Sequence, residues 1–266
     1  MKEKTTLLAG PWIGEFGWEL FCWQAFVRKQ SRKFDKTIVI SRPGNKFIYE
    51  DFVDEYIEFD PKGTKTDSWL CPDSKPYKDL VMSIPHTHYL DGQFNIGIHY
   101  TQQGVRDISG MFFSEQEFFK YQKETNIESY DIILHGRDKE IGPERNWPKE
   151  KWDELANILK EKYSVACIGK NEAFKIENTT DLRSIPLEEL TSLMSKSKIV
   201  VGPSSGPMHF ASLCGVKHLV WSTEYNRVRY VKDWNPFNTE VIFHTKGGWN
   251  PDIEDIINLI DKNITK

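Results

Sequence analysis

The 266-residue chain has no apolar run approaching the ~18 residues of a membrane-spanning helix. Its opening, MKEKTTLLAG, is too short in its apolar part and too mixed in charge for a secretory leader. The expectation is a cytoplasmic protein. The four cysteines, Cys22, Cys71, Cys167 and Cys214, form no CxxC pair, so neither a zinc knuckle nor a thioredoxin-like centre is supported. Cys22, Cys167 and Cys214 sit in apolar runs and read as reduced core residues. His86 and His88 are not read as a metal pair, and no metal ligand set is expected. Neither GxxxxGK[ST] nor GxGxxG occurs, which argues against a P-loop NTPase and a typical nicotinamide enzyme. There is no low-complexity linker and no repeat between the halves. The formal charge of −4 offers no global attraction for nucleic acid or an anionic membrane. Two local basic groups stand out, Arg28–Lys29–Arg32–Lys33–Lys36 and Arg227–Arg229–Lys232; each reads either as a solvated face or as an anion contact.

What is present is a core. Hydrophobic residues make up 39% and aromatics 13%, enough to exclude disorder. The order is strand, loop, helix, repeated. Thr5 to Ala9 reads as a strand, followed by a loop with Gly10, Gly14 and Gly17 and a helix carrying Trp18, Phe21, Cys22, Ala25 and Phe26 on one face. KTIVIS at Lys36 to Ser41 is a β-branched strand, and Tyr56 to Phe59 a short third one. Residues 61–110 show no clear period. Residues 113–124 read as a helix capped by Ser114, with Glu117 completing a capping box. A second αβ series begins near residue 130. YDIILHG, YSVACIG, KIVVG, HLVW and EVIFH read as strands. Pro148 and Pro186 open helices, the first facing Trp152, Leu155, Ile158 and Leu159 inward, the second Leu187, Leu190, Leu193 and Met194. The last helix, Asp252 to Ile264, carries isoleucines at helical spacing. The whole predicts two Rossmann-like α/β domains, 1–120 and 121–266.

GPSSGPMHFASLCG, residues 202–215, is the stretch richest in chemistry. Lys198 to Val201 is a buried strand, Gly202 to Gly206 a turn at its carboxyl end, and the helix that follows runs from Pro207 to Gly215. Ligands of open α/β sheets bind outside the carboxyl ends of the strands. A helix N-terminus adds free N–H groups and a positive dipole end, glycine admits a phosphate to the backbone, and serine hydroxyls donate. These residues suit a diphosphate. The alternative is that Ser204 or Ser205 merely caps the helix.

The stretch VVGPSSGPMHFASLCGV resembles the donor-binding signature of glycosyltransferase family 9, the bacterial heptosyltransferase-like enzymes, which read Gly-Asn-Asp-Ser-Gly-Pro-Met-His. RNWPKEKWDELANIL resembles their Lys-x-Trp-Pro-x-x-x-Trp segment, with Arg145 at the lysine, and LRSIPLEELTSLMSKSKIVV their helix and strand before the signature. The resemblance covers residues ~130 to 222. Upstream, Ile13-Gly14-Glu15 stands where the family has Gly-Asp, whose acid is the proposed base. Ser204 departs from the family's Asp.

The resemblance implies a GT-B fold, two Rossmann-like domains facing across a cleft, with the nucleotide sugar held mainly by the C-terminal domain and the final helix crossing back to brace the N-terminal one. Glu15 is then the base for the acceptor hydroxyl, with Gly14, Trp18 and Glu19 on the acceptor side. Glu19 competes with Glu15, although a carboxylate in a first helical turn is ordinarily a dipole partner. The diphosphate falls to Ser204, Ser205 and Gly206, with charge from Arg137 and Arg145, each of which reads otherwise as an exposed loop charge; Met208 belongs to the same donor set, His209 either donates to a phosphate or holds the loop in shape, and Gly169 and Lys170 border the nucleoside. Trp147 reads as packing. No DxD motif occurs, and no obligatory cofactor or metal is expected. The substrate is a nucleotide sugar and the acceptor a surface glycan or small molecule. Three other readings stay open: a phage-type enzyme glycosylating hydroxymethylated DNA bases, to which the aromatics Trp12, Phe16, Trp18, Trp23 and Phe26 and the basic group from Arg28 are suited, a GT-B-type sugar-nucleotide epimerase, and a nucleotide-binding regulatory protein with no chemistry.

Overall fold

Runs of β-branched and aliphatic residues build the longer strands among the described residues. In a computed structural model, residues 4–12, 14–60, 75–92, 116–140 and 142–264 are described. The chain divides into two compact units, Met1–Phe119 and Lys120–Lys266.

In the N-terminal unit, β1 (Thr6–Ala9) leads through the loop that carries Glu15 to α1. That helix is continuous but changes pitch, from Phe16–Trp18 through a π-helical Glu19–Trp23 to Gln24–Ser31. Then come β2 (Lys36–Ser41), β3 (Glu55–Glu58), α2 (Lys75–Ser83) and β4 (His88–Leu90). The strands form a parallel sheet in the order β3-β2-β1-β4. β1 and β4 flank the point where the strand order reverses, so the Glu15 loop leaves the sheet at its switch point.

In the C-terminal unit the elements are β5 (Ile132–His135), α3 (Lys149–Leu159), β6 (Val165–Ile168), β7 (Thr180–Asp181), α4 (Leu187–Lys196), β8 (Ile199–Pro203), α5 (Gly206–Cys214), β9 (His218–Trp221), β10 (Val241–His244) and α6 (Ile253–Ile264). All pairings are parallel, in the order β10-β9-β8-β5-β6-β7. The switch point lies between β5 and β8. Beneath it, Trp147, Trp152 and Trp221 pack edge-on and tilted, with centroids 5.0 to 5.4 Å apart. α6 lays Ile256 and Ile260 into the same core.

Two expectations fail. Residues 116–124 are not helical: Glu117 N–H donates to the Ala25 carbonyl at 2.9 Å, Tyr121 N–H to that of Leu213 at 3.0 Å, and the Glu117 carboxylate pairs with Arg32 at 2.6 Å instead of closing a capping box. Ser114 lies outside the described residues. Ile158 is 39% exposed, because the buried stripe of α3 is Trp152, Leu155, Ala156 and Leu159 at i, i+3, i+4 and i+7. Residues 61–110, where no period was legible, contain α2 and β4; of that stretch 61–74 and 93–110 are outside the described residues.

Candidate active site

Strand β8 ends at Pro203 and α5 begins at Gly206, so Ser204 and Ser205 form the turn at the switch point. Ser205 is the N-cap residue, but its hydroxyl makes no capping bond. That Oγ is buried and without a hydrogen-bond partner, on a residue only 9% exposed. A buried hydroxyl left unpaired costs free energy, and such groups in native sites ask for a ligand or water. Ser204 is different. Its Oγ accepts from the Tyr230 hydroxyl at 3.1 Å, and its carbonyl accepts from Arg145 Nη2 at 2.6 Å. Of the two serines, Ser205 has the free hydroxyl and Ser204 shapes the turn.

Arg145 comes from the loop after β5, on the other side of the switch point. Its guanidinium lies 4.7 Å from the Trp249 ring centroid, and its Nε is buried without a partner. The loop that presents it is anchored by Trp147, whose Nε1–H donates to the Pro251 carbonyl at 3.1 Å. Arg137 was expected to reach the diphosphate. It is 4% exposed and donates to the Gly142 carbonyl at 2.9 Å and to Asn146 Oδ1, so the bonds seen hold the loop together.

His209 sits one turn into α5. It is 3% exposed, stacks on Tyr230 at 4.1 Å and meets Trp234 edge-on at 4.6 Å. Burial, helped by the Arg229 charge, holds its pKa well below the ordinary histidine value, so it is neutral and part of the packing. Met208 is fully buried, its sulfur 3.0 Å from where a Cβ on Gly202 would stand. Gly169 follows β6 with φ 147°, a conformation that favours glycine, and a Cβ there would stand 3.9 Å from His135 Nδ1. Lys170 beside it is exposed. His135 is a residue that sequence reasoning missed. It ends β5 at the switch point, its Nδ1 is buried without a partner, and burial takes its pKa down to about 4.

In the N-terminal unit Glu15 is half-buried at the start of α1 and makes no side-chain capping bond. Gly14 is buried; a Cβ there would stand 2.6 Å from the Trp12 indole, so the loop is packed down on that ring. Ile13 lies outside the described residues. Trp18 is 3% exposed and belongs to the core. Glu19 is fully buried. Its Oε1 accepts from Ser41 Oγ at 2.5 Å and Tyr49 OH at 2.7 Å, and its Oε2 from Asn45 Nδ2 at 2.6 Å. Burial raises its pKa to about 7, against the opposing pull of those hydrogen bonds and of Arg42. With both oxygens engaged and no exposure, Glu19 cannot meet an acceptor hydroxyl. Glu15, half-buried at the head of α1, is the other carboxylate of this loop and helix.

With this geometry in place, the likeness to known proteins takes on meaning. The model of glycosyltransferase family 9 (heptosyltransferase) matches residues 99–219. That region is similar to glycosyltransferase family 9 sequence. It contains β5, β6, α5, Arg145 and the Ser204–Ser205 turn. Solved structures extend the fold likeness to nearly the whole chain. The glycosyl transferase family 9 protein of Veillonella parvula has a TM-score of 0.65 at 11% identity, covering 98% of this chain and 97% of that one. The E. coli ADP-heptose LPS heptosyltransferase II has 0.60 at 14%, covering 98% of each. The E. coli heptosyltransferase WaaC with ADP has 0.60 at 13%, covering 97% of each. No curated protein matches the chain in sequence. The fold is that of these GT-B glycosyltransferases. Among the described residues no helix is long and apolar enough to cross a membrane, and no three His, Cys, Asp or Glu side chains are grouped to hold a metal.

Proposed function

We propose that the protein transfers a sugar from an ADP-linked donor, ADP-heptose being the model from its neighbours, to a hydroxyl of a surface glycan or small acceptor in the cytoplasm. The observation that carries the donor site is the unpartnered Ser205 hydroxyl, next in the chain to the Ser204 carbonyl that the Arg145 guanidinium holds at the β5/β8 switch point. The diphosphate takes Ser205 Oγ, the N-terminal N–H groups of α5 and the charge of Arg145. Gly169 and Lys170 border the nucleoside. Glu15 removes the acceptor hydroxyl proton as the acceptor oxygen bonds to the anomeric carbon. The bond from that carbon to the phosphate oxygen breaks, and the charge arriving on ADP is stabilised by groups already in place, with no cost of reorganisation.

Two other readings are less favoured. A DNA acceptor needs exposed aromatics and free cations, whereas Trp12, Trp18 and Trp23 are at most 3% exposed and Arg28 is 1% exposed and paired with Asp51. Arg32 and Lys36 are also paired, with Glu117 and Glu55. The epimerase reading has a structural neighbour, a Listeria monocytogenes protein described as a UDP-N-acetylglucosamine 2-epimerase, at 11% identity and TM-score 0.55, which speaks to the fold alone.

Calorimetric titration with ADP, UDP, GDP and CDP, with and without magnesium, tests the reading. ADP is expected to bind most tightly and without need of magnesium; binding of none of the four overturns the donor site. Glu15→Gln is expected to leave ADP affinity unchanged and to lower transfer by about 10²–10⁴-fold. Turnover of ADP-heptose to an isomer without acceptor would instead support the epimerase.

A further inference from the structure

The Ser204–Ser205 turn is held from two sides. Arg145 grips the Ser204 carbonyl from the β5 side. From the other side comes Tyr230, a fully buried residue on the π-helical segment Arg229–Asp233. Its hydroxyl accepts the Ser205 N–H at 3.1 Å and donates to Ser204 Oγ at 3.1 Å. Burial pushes its pKa up to about 12, so the proton needed for the second bond stays in place. Its ring is fixed by the stack on His209 and a tilted contact with Phe243 at 5.6 Å. One hydroxyl therefore occupies the N–H of one serine and the hydroxyl of the other. The polar group this leaves over in the turn is Ser205 Oγ, unpartnered at the start of the nine-residue α5.

Resting on the diphosphate reading above, we propose that Tyr230 is a positioning residue that fixes the turn so that the Ser205 hydroxyl faces the donor diphosphate. It does not touch the donor; it acts through Ser204 and Ser205. Tyr230 lies 25 residues beyond Ser205 and outside the region matched by the family model, so no motif marks it.

The test is titration of the full chain with ADP and with adenosine, for wild type, Tyr230→Phe, Ser205→Ala and the double variant. The phenylalanine keeps the ring and its stacking and removes only the oxygen. Each single variant is expected to weaken ADP about tenfold, the value of one hydrogen bond to a charged group, and to leave adenosine unchanged. The double variant is expected to be no weaker than the worse single one, because an unaimed hydroxyl has nothing left to lose. A merely structural tyrosine would shift the melting temperature and leave the ratio of ADP to adenosine affinity alone. ADP affinity of Tyr230→Phe within twofold of wild type, or losses that multiply, overturns the inference while the diphosphate reading stands. Failure of the wild type to bind ADP overturns both. Should Tyr230→Phe not fold, Ser204→Ala removes the partner hydroxyl instead and is expected to weaken ADP, and not adenosine, by a smaller factor; no change in ADP affinity overturns the inference.

Discussion

Arg145 combines two contacts that a lysine cannot. Its planar group lies over the Trp249 ring while one nitrogen donates to the Ser204 carbonyl at 2.6 Å. An ammonium has the charge but neither the flat face nor the fixed fork. Arg145→Lys is therefore expected to bind ADP several-fold more weakly and Arg145→Ala at least tenfold more weakly, read by calorimetry; a lysine variant equal to wild type would show that charge alone matters. At this scale the sequence was legible where a residue's partners are near it in the chain. The turn, its glycines and Arg145 could be picked out. Which serine is free could not, because the answer depends on a tyrosine hydroxyl 25 residues away. The same holds for Glu19, whose partners Ser41, Asn45 and Tyr49 lie 22 to 30 residues downstream.

Among elements, the parallel strands were the most legible, since strands covered on both faces read as unbroken apolar runs with punctuated ends. Residues 116–124 mislead because their helical spacing is local, whereas the backbone bonds that win go to Ala25 and Leu213. The loop between β5 and α3 was legible as a motif, but its internal bonding was not. Asn146 ties it together: Oδ1 accepts from Arg137 Nη1 and from the Lys139 N–H at 3.3 Å, and Nδ2 donates to the Lys139 carbonyl at 2.8 Å. Asn146→Ala removes a partner from a buried guanidinium and is expected to cost about 2 kcal/mol in urea unfolding. Because the same loop presents Arg145, ADP affinity should fall as well. A variant that loses stability but binds ADP as before would separate the two functions of the loop.

For the whole molecule, pH acts on the two units in opposite directions. In the C-terminal unit His135 and His218 are buried and neutral, each with its pKa brought down by burial to about 4. The His218 ring hydrogen-bonds the Val216 carbonyl through Nδ1 at 2.9 Å and the Ser212 hydroxyl through Nε2 at 3.2 Å; the carbonyl bond pulls its pKa up, and burial outweighs it. An unfolded histidine takes its proton near pH 6.5, so the stability these two contribute is full above 6.5 and is lost as pH falls toward 4, by at most roughly 3 kcal/mol each. In the N-terminal unit Glu19 is raised from 4.5 to about 7. Its folded form holds the proton more tightly than its unfolded form, so that contribution is full below 4.5 and is lost as pH rises through 7, again by at most roughly 3 kcal/mol. Calorimetric melts should then show the N-terminal unit gaining and the C-terminal unit losing stability between pH 7 and pH 5, so that the relative order or spacing of their transitions changes. Glu19→Gln removes the titrating carboxyl while keeping an acceptor for Ser41 and Tyr49. It is expected to flatten the N-terminal response over pH 4.5–7 and to leave the C-terminal response intact. A Glu19→Gln protein whose N-terminal transition keeps the wild-type slope would mean that the carboxylate is already ionised throughout that range, held there by Ser41, Asn45 and Tyr49 against the cost of its burial.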